Sequence, residues 1–144
     1  FTEGIKRLAG EKLQINLAIS LHAANDSLRA TLMPIAKKYP LRDILAAVDS
    51  YINKTGRRVM FEYLMIKEVN DNEKDALELI RLIKKPLYLV NLIPYNPTGR
   101  FTPSTKERIE KFKKILEDNG VAVTVRLSFG ADITAACGQL RGKR

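Results

Sequence analysis

With 144 residues, 45% of them hydrophobic, the chain can bury one core and has the size of an ordinary single domain. Twenty-five Lys and Arg against sixteen Asp and Glu leave a formal charge of +9, which favours a polyanionic partner such as nucleic acid without locating its site. No apolar run approaches the roughly 20 residues that span a bilayer, Phe1-Thr2-Glu3-Gly4 is not a secretory leader, and a single cysteine excludes an internal disulfide, so the expectation is a cytoplasmic protein with no membrane partner.

The opening stretch Glu3 to Leu13 is helix-like. Gln14 to Leu21 (QINLAISL) is a compact apolar run that predicts a buried strand, ending at His22-Ala23-Ala24-Asn25-Asp26, where a helix cap can start. After Pro34 and Pro40, Leu41, Ile44, Leu45, Val48 and Ile52 recur at helical spacing and stop at Thr55-Gly56. The cycle repeats with a strand at Val59 to Ile66, a cap at Asn70-Asp71 and a helix whose buried face is Ala76, Leu79, Ile80 and Ile83. A third strand, Leu87 to Ile93, leads into the loop Pro94 to Arg100. Ser104 with Glu107 has the spacing of a capping box for a helix carrying Ile109, Phe112 and Leu116. Gly120 ends that helix, and Val121 to Leu127 is a fourth strand.

Strands alternating with helices imply βαβ units, right-handed crossovers and a parallel sheet, hence the α/β class. No linker, low-complexity tract or sequence repeat divides the chain. Four such units are few for a closed eight-stranded barrel, so further structure is expected upstream, and a truncated barrel would leave its first strand with an unpaired edge. In such folds ligands gather beyond the carboxyl ends of the strands, which singles out Ser20 to His22, Ile66 to Asp71, Pro94 to Pro97 and Ser128 to Cys137.

Cys137, within GADITAACGQL, is either a small buried hydrophobe, the reading spacing alone favours, or a reactive thiol; alone it builds neither a cysteine-rich zinc site nor an iron–sulfur cluster. His22, the only histidine, either donates to a ligand or bonds a backbone carbonyl. Asn96, between Tyr95 and Pro97, is a turn residue or offers a donor and an acceptor to a cofactor. Glu62 sits in an apolar strand, facing either an interior where it needs a partner or an exposed surface. Asp71 and Asp132 read as caps, and no HExxH, Walker loop, GxGxxG or CxxC is present.

Taken together, LAISLHAANDSLRATLMPI (Leu17 to Ile35), FEYLMI with VND (Phe61 to Ile66, Val69 to Asp71), VNLIPYNP (Val90 to Pro97) and DITAACGQL (Asp132 to Leu140) resemble the RlmN/Cfr family. These are radical S-adenosylmethionine (SAM) RNA methyltransferases that add a methyl group to a ring carbon of adenine. The match runs along practically the whole chain. It implies that residues 1–144 are the C-terminal part of a partial (βα)6 TIM-like radical SAM barrel. The family's CxxxCxxC that carries the [4Fe–4S] cluster, its N-terminal accessory domain, a glutamate base and a second catalytic cysteine have no counterpart here. Cluster ligands are therefore expected outside this chain, with no metal ligand within it, and the chain alone is expected to be inactive.

By the same resemblance, Cys137 is the catalytic cysteine that carries the methyl group as S-methylcysteine, with Ala135, Ala136 and Gly138 giving its loop room to move. Ser20, Leu21, His22 and Asn96 match the SAM-binding positions. The implied partners are 23S rRNA, tRNA and a reductant for the cluster, and the implied product is adenosine methylated at C2. The alternatives are a C8-directed methyltransferase conferring antibiotic resistance, or a non-catalytic RNA-binding α/β module in which Cys137 only packs.

Overall fold

The computed structural model of the chain describes residues 2–12 and 14–126. After the helix α1 (Thr2–Leu8), strands β1 (Leu17–Ser20), β2 (Val59–Met65), β3 (Tyr88–Pro94) and β4 (Ala122–Val125) form one sheet. They lie in the order β1-β2-β3-β4, every pair parallel. The crossovers are α2 (Asp26–Leu32), a 3-10 turn at Pro34–Lys38 and α3 (Leu41–Thr55), then α4 (Glu73–Ile83), then α5 (Lys106–Asp118). The expected α/β class and parallel order are therefore what forms. β1 is shorter than the apolar run Gln14 to Leu21, and among the described residues it pairs only with β2.

β2 alternates strictly because one face of the sheet is covered by helices and the other is not. In β2 the buried Val59, Phe61, Tyr63 and Met65 point to the helices, while Met60, Glu62 and Leu64 are half-buried on the opposite face. Phe61 packs on Tyr88 with ring centroids 4.8 Å apart, and Tyr63 stacks on Phe112 of α5 at 5.4 Å. The amphipathic helices supply Leu41, Ile44 and Val48, then Ala76, Leu79, Ile80 and Ile83, then Ile109, Phe112 and Leu116, as their spacing predicts. Gly56 ends α3 at φ 65°, a left-handed conformation that glycine adopts without the Cβ penalty.

Two predicted caps are displaced. Asn72, not Asn70 or Asp71, caps α4, its side chain accepting from the Asp75 N–H while the Asp75 carboxylate accepts from the Asn72 N–H. Asp71 instead turns inward and accepts from the Glu68 N–H at 2.9 Å, the Ser104 hydroxyl at 2.8 Å and Arg108 at 3.1 Å. Ser104 is thereby withdrawn from capping, and Thr105 caps α5 by accepting from the Arg108 N–H. In both places several cap-competent residues stand side by side, and the buried carboxylate at the turn decides which one is left for the helix.

Candidate cofactor site

The carboxyl ends of the strands enclose a cavity of about 300 Å³. Ser20, His22 and Asn96 line it together with Glu62, Leu64, Ile93, Tyr95, Thr98 and Arg126. A smaller lobe of about 220 Å³ shares His22, Leu64, Tyr95 and Thr98 with it and extends to Arg100 and Phe101, where the guanidinium lies 4.9 Å from the ring centroid.

Register explains part of this lining. Ser20 is paired with Glu62, Glu62 with Asn91 and Asn91 with Thr124, so four polar residues form a row across all four strands on the face away from the helices. The Ser20 hydroxyl donates to Glu62 Oε2 at 3.4 Å, and the Thr124 hydroxyl donates to Asn91 Oδ1 at 3.0 Å. Glu62 thus takes the face away from the helices, half-buried in the cavity wall with Ser20 as partner.

His22 follows β1 at φ 61°, a left-handed conformation that costs a non-glycine residue about 1–3 kcal/mol. That conformation closes the strand. The Leu21 and His22 N–H groups both donate to the Glu62 carbonyl, at 2.9 and 3.2 Å. The imidazole Nδ1 accepts from the Leu64 N–H at 3.2 Å, which leaves the proton on Nε2. Burial, and secondarily the positive charge of Arg29, push the His22 pKa down to about 4, so the ring is neutral at physiological pH. Its Nε2–H is the donor that a ligand in the cavity would meet.

Leu21 behaves differently from its neighbours. Its side chain is fully buried in the core, and it is not among the residues lining the cavity. What it contributes to the site is backbone: its carbonyl accepts from Arg29 Nε at 3.2 Å. Arg29, only 2% exposed, also donates to the carbonyls of Ser20 at 3.3 Å and Tyr39 at 2.9 Å, so one guanidinium ties the end of β1 to the segment leading into α3. Neither Arg29 nor Asn91 nor Thr124 stood out in the sequence, although an Asn within the apolar run VNLIPYNP is an available signal.

Asn96 is 9% exposed at the end of β3, beside the buried Tyr95. Arg126 reaches the cavity from beyond β4, its N–H donating to the Leu92 carbonyl at 2.8 Å. Cys137, together with Asp132, Ala135, Ala136 and Gly138, lies outside the described residues. Among the described residues no group of three or more His, Cys, Asp or Glu is placed to hold a metal ion, and no helix is long and apolar enough to cross a membrane.

No protein-family model matches the chain. Individual relatives do. A protein of Pelotomaculum thermopropionicum named probable dual-specificity RNA methyltransferase RlmN is 56% identical over 144 residues, covering 97% of this chain and 39% of its own length. A protein of the same name from Symbiobacterium thermophilum is 51% identical, covering 97% of this chain and 38% of its own. The crystal structure of a radical SAM methyltransferase from Sphaerobacter thermophilus superposes with a TM-score of 0.95 at 48% identity, over 99% of this chain and 42% of that one. The chain belongs to the RlmN family of radical SAM methyltransferases. This RlmN-family chain spans about two fifths of the length of the curated relatives it matches. A domain of pyruvate-formate lyase-activating enzyme from Bacteroides vulgatus, 17% identical with a TM-score of 0.66 over 87% of this chain and 74% of that one, shares the fold alone.

Proposed function

We propose that the chain forms the SAM-holding side of an RNA methyltransferase that methylates C2 of adenosine in 23S rRNA and in tRNA, with Cys137 as the methyl carrier. The observation that carries this reading is that Ser20, His22 and Asn96, distant in sequence, line one cavity in a chain about half identical to proteins named as RNA methyltransferases. The donor set suits an amino-acid nucleoside. Glu62 offers a carboxylate to a cation, Asn96 and the His22 Nε2–H offer polar contacts, and Leu64, Ile93 and Tyr95 offer apolar wall to a ring.

Bound there, SAM supplies methyl groups and, with a [4Fe–4S] cluster and a reductant, the radical needed to functionalise an electron-poor ring carbon. The chain's one cysteine does not make a cluster site, so the cluster's ligands belong outside these residues, and the chain by itself is inactive in this reading. Its own residues do the holding. His22 stays neutral and keeps its Nε2–H available, Ser20 and Glu62 restrain each other, and Arg126 brings positive charge to the cavity wall. The net charge of +9 suits phosphate contacts that position an RNA, and in this reading the target base must leave its stack to reach the methyl-carrying thiol. A cytoplasmic location accords with an RNA substrate.

The test is a product assay with the cluster-loaded enzyme that carries this chain, offered 23S rRNA and tRNA. Adenosine methylated at C2 in both is the expected result. Methylation at C8 would move the chain to the resistance branch, and RNA binding with no methylation would leave it an RNA-binding module.

A further inference from the structure

Past the end of β1, the edge of β2 that β1 would have covered still presents the Leu64 N–H, the Leu64 carbonyl and the Ile66 N–H. All three are satisfied, and not by a strand. His22 Nδ1 accepts from the Leu64 N–H, while the Asn70 side chain takes the other two, Nδ2 donating to the Leu64 carbonyl at 2.6 Å and Oδ1 accepting from the Ile66 N–H at 2.8 Å. The amide of Asn70 stands where the peptide group of a longer β1 would have stood. Its second Nδ2 hydrogen goes to the His22 carbonyl at 2.9 Å, and the buried Tyr63 hydroxyl donates to the Asn70 carbonyl at 2.9 Å.

We propose that Asn70 is a positioning residue for the cofactor cavity, locking His22 in its left-handed conformation with Nδ1 as acceptor and the Nε2–H presented to the ligand. The proposal rests on the reading of that cavity as the SAM site. Asn70 is completely buried and does not line the cavity, so it acts through His22 and not on the ligand. Its chemistry is specific: only an amide of this length supplies two donors and one acceptor to three backbone groups in one plane. A serine supplies one donor. An aspartate keeps the shape and the acceptor, but its ionised form turns two favourable contacts with carbonyl oxygens into repulsive ones.

The test uses the enzyme carrying this chain, prepared without its cluster and labelled with 15N-histidine, the His22 signal being assigned by its loss in His22→Asn. Wild type should show a single Nε2–H tautomer that resists protonation well below the ordinary histidine range. In Asn70→Ser and Asn70→Asp, His22 should show mixed tautomers and titrate about one to two units higher, and in the cluster-loaded enzyme the SAM dissociation constant from equilibrium dialysis should rise about ten-fold. A folded variant in which His22 keeps its tautomer and titration overturns the proposal. Should both variants unfold, Tyr63→Phe, which strips the Asn70 carbonyl of its donor, must still move His22 in the same direction, and unchanged signals there overturn it equally. A cluster-loaded wild-type enzyme that does not bind SAM would sink the functional reading, while the His22 signals would still decide the role of Asn70.

Discussion

The φ of 61° at His22 is tolerated because its surroundings over-determine it: Nδ1, the N–H and the carbonyl are each engaged, by Leu64, Glu62 and Asn70. The same surroundings make it a pH-sensitive point of stability. Folded His22 titrates at about 4, below the 6.5 of a free histidine, so between these values the unfolded chain binds a proton that the folded chain refuses. Its contribution is therefore complete above pH 6.5 and declines by about 3 kcal/mol as the pH falls to 4. Urea unfolding at pH 7 and at pH 4.5 should show this loss in the wild type, and His22→Asn should lose less over the same interval. An equal loss in both would assign the acid sensitivity to other groups. The imidazole's position was foreseeable from the end of an apolar run. Its tautomer was not, because that depends on the Leu64 N–H, forty-two residues away.

Among the elements, helices were the most legible. A 3.6-residue period records which face is buried, and α4 and α5 follow it residue by residue. In α3, Leu41, Ile44 and Val48 are buried as expected, Leu45 and Ile52 are only half-buried, and Ala47 and Tyr51 complete the buried face. Caps were less legible because a run such as Asn70-Asp71-Asn72 offers three chemically suitable residues, and tertiary contacts choose among them. Asn72 takes the cap because Asn70 is held by β2 and His22, and Asp71 by Ser104 and Arg108. Asn72→Ala should cost about 1 kcal/mol in thermal or denaturant unfolding, the usual value of an N-cap. Asp71→Ala should cost more, about 2–3 kcal/mol, because it strands the buried Ser104 hydroxyl and the Glu68 N–H. If the two variants prove equally stable, the buried carboxylate is not the stronger fixture of this turn.

For the whole molecule, parallel order follows from the alternation of strands and helices, and family membership from strings that run the length of the chain. The polar row from Ser20 through Glu62 and Asn91 to Thr124 was hidden, because it exists only once register aligns residues from four strands. That row borders the cavity in which we propose that SAM binds, and Cys137 is the residue on which the proposed chemistry turns. Peptide mass spectrometry of residues 127–141, from the cluster-loaded enzyme carrying this chain with SAM supplied, is the most direct test. The account predicts one added methyl group on Cys137. An unmodified Cys137 in protein shown to hold both cluster and SAM would contradict it, and would return that thiol to the role of a small packing residue.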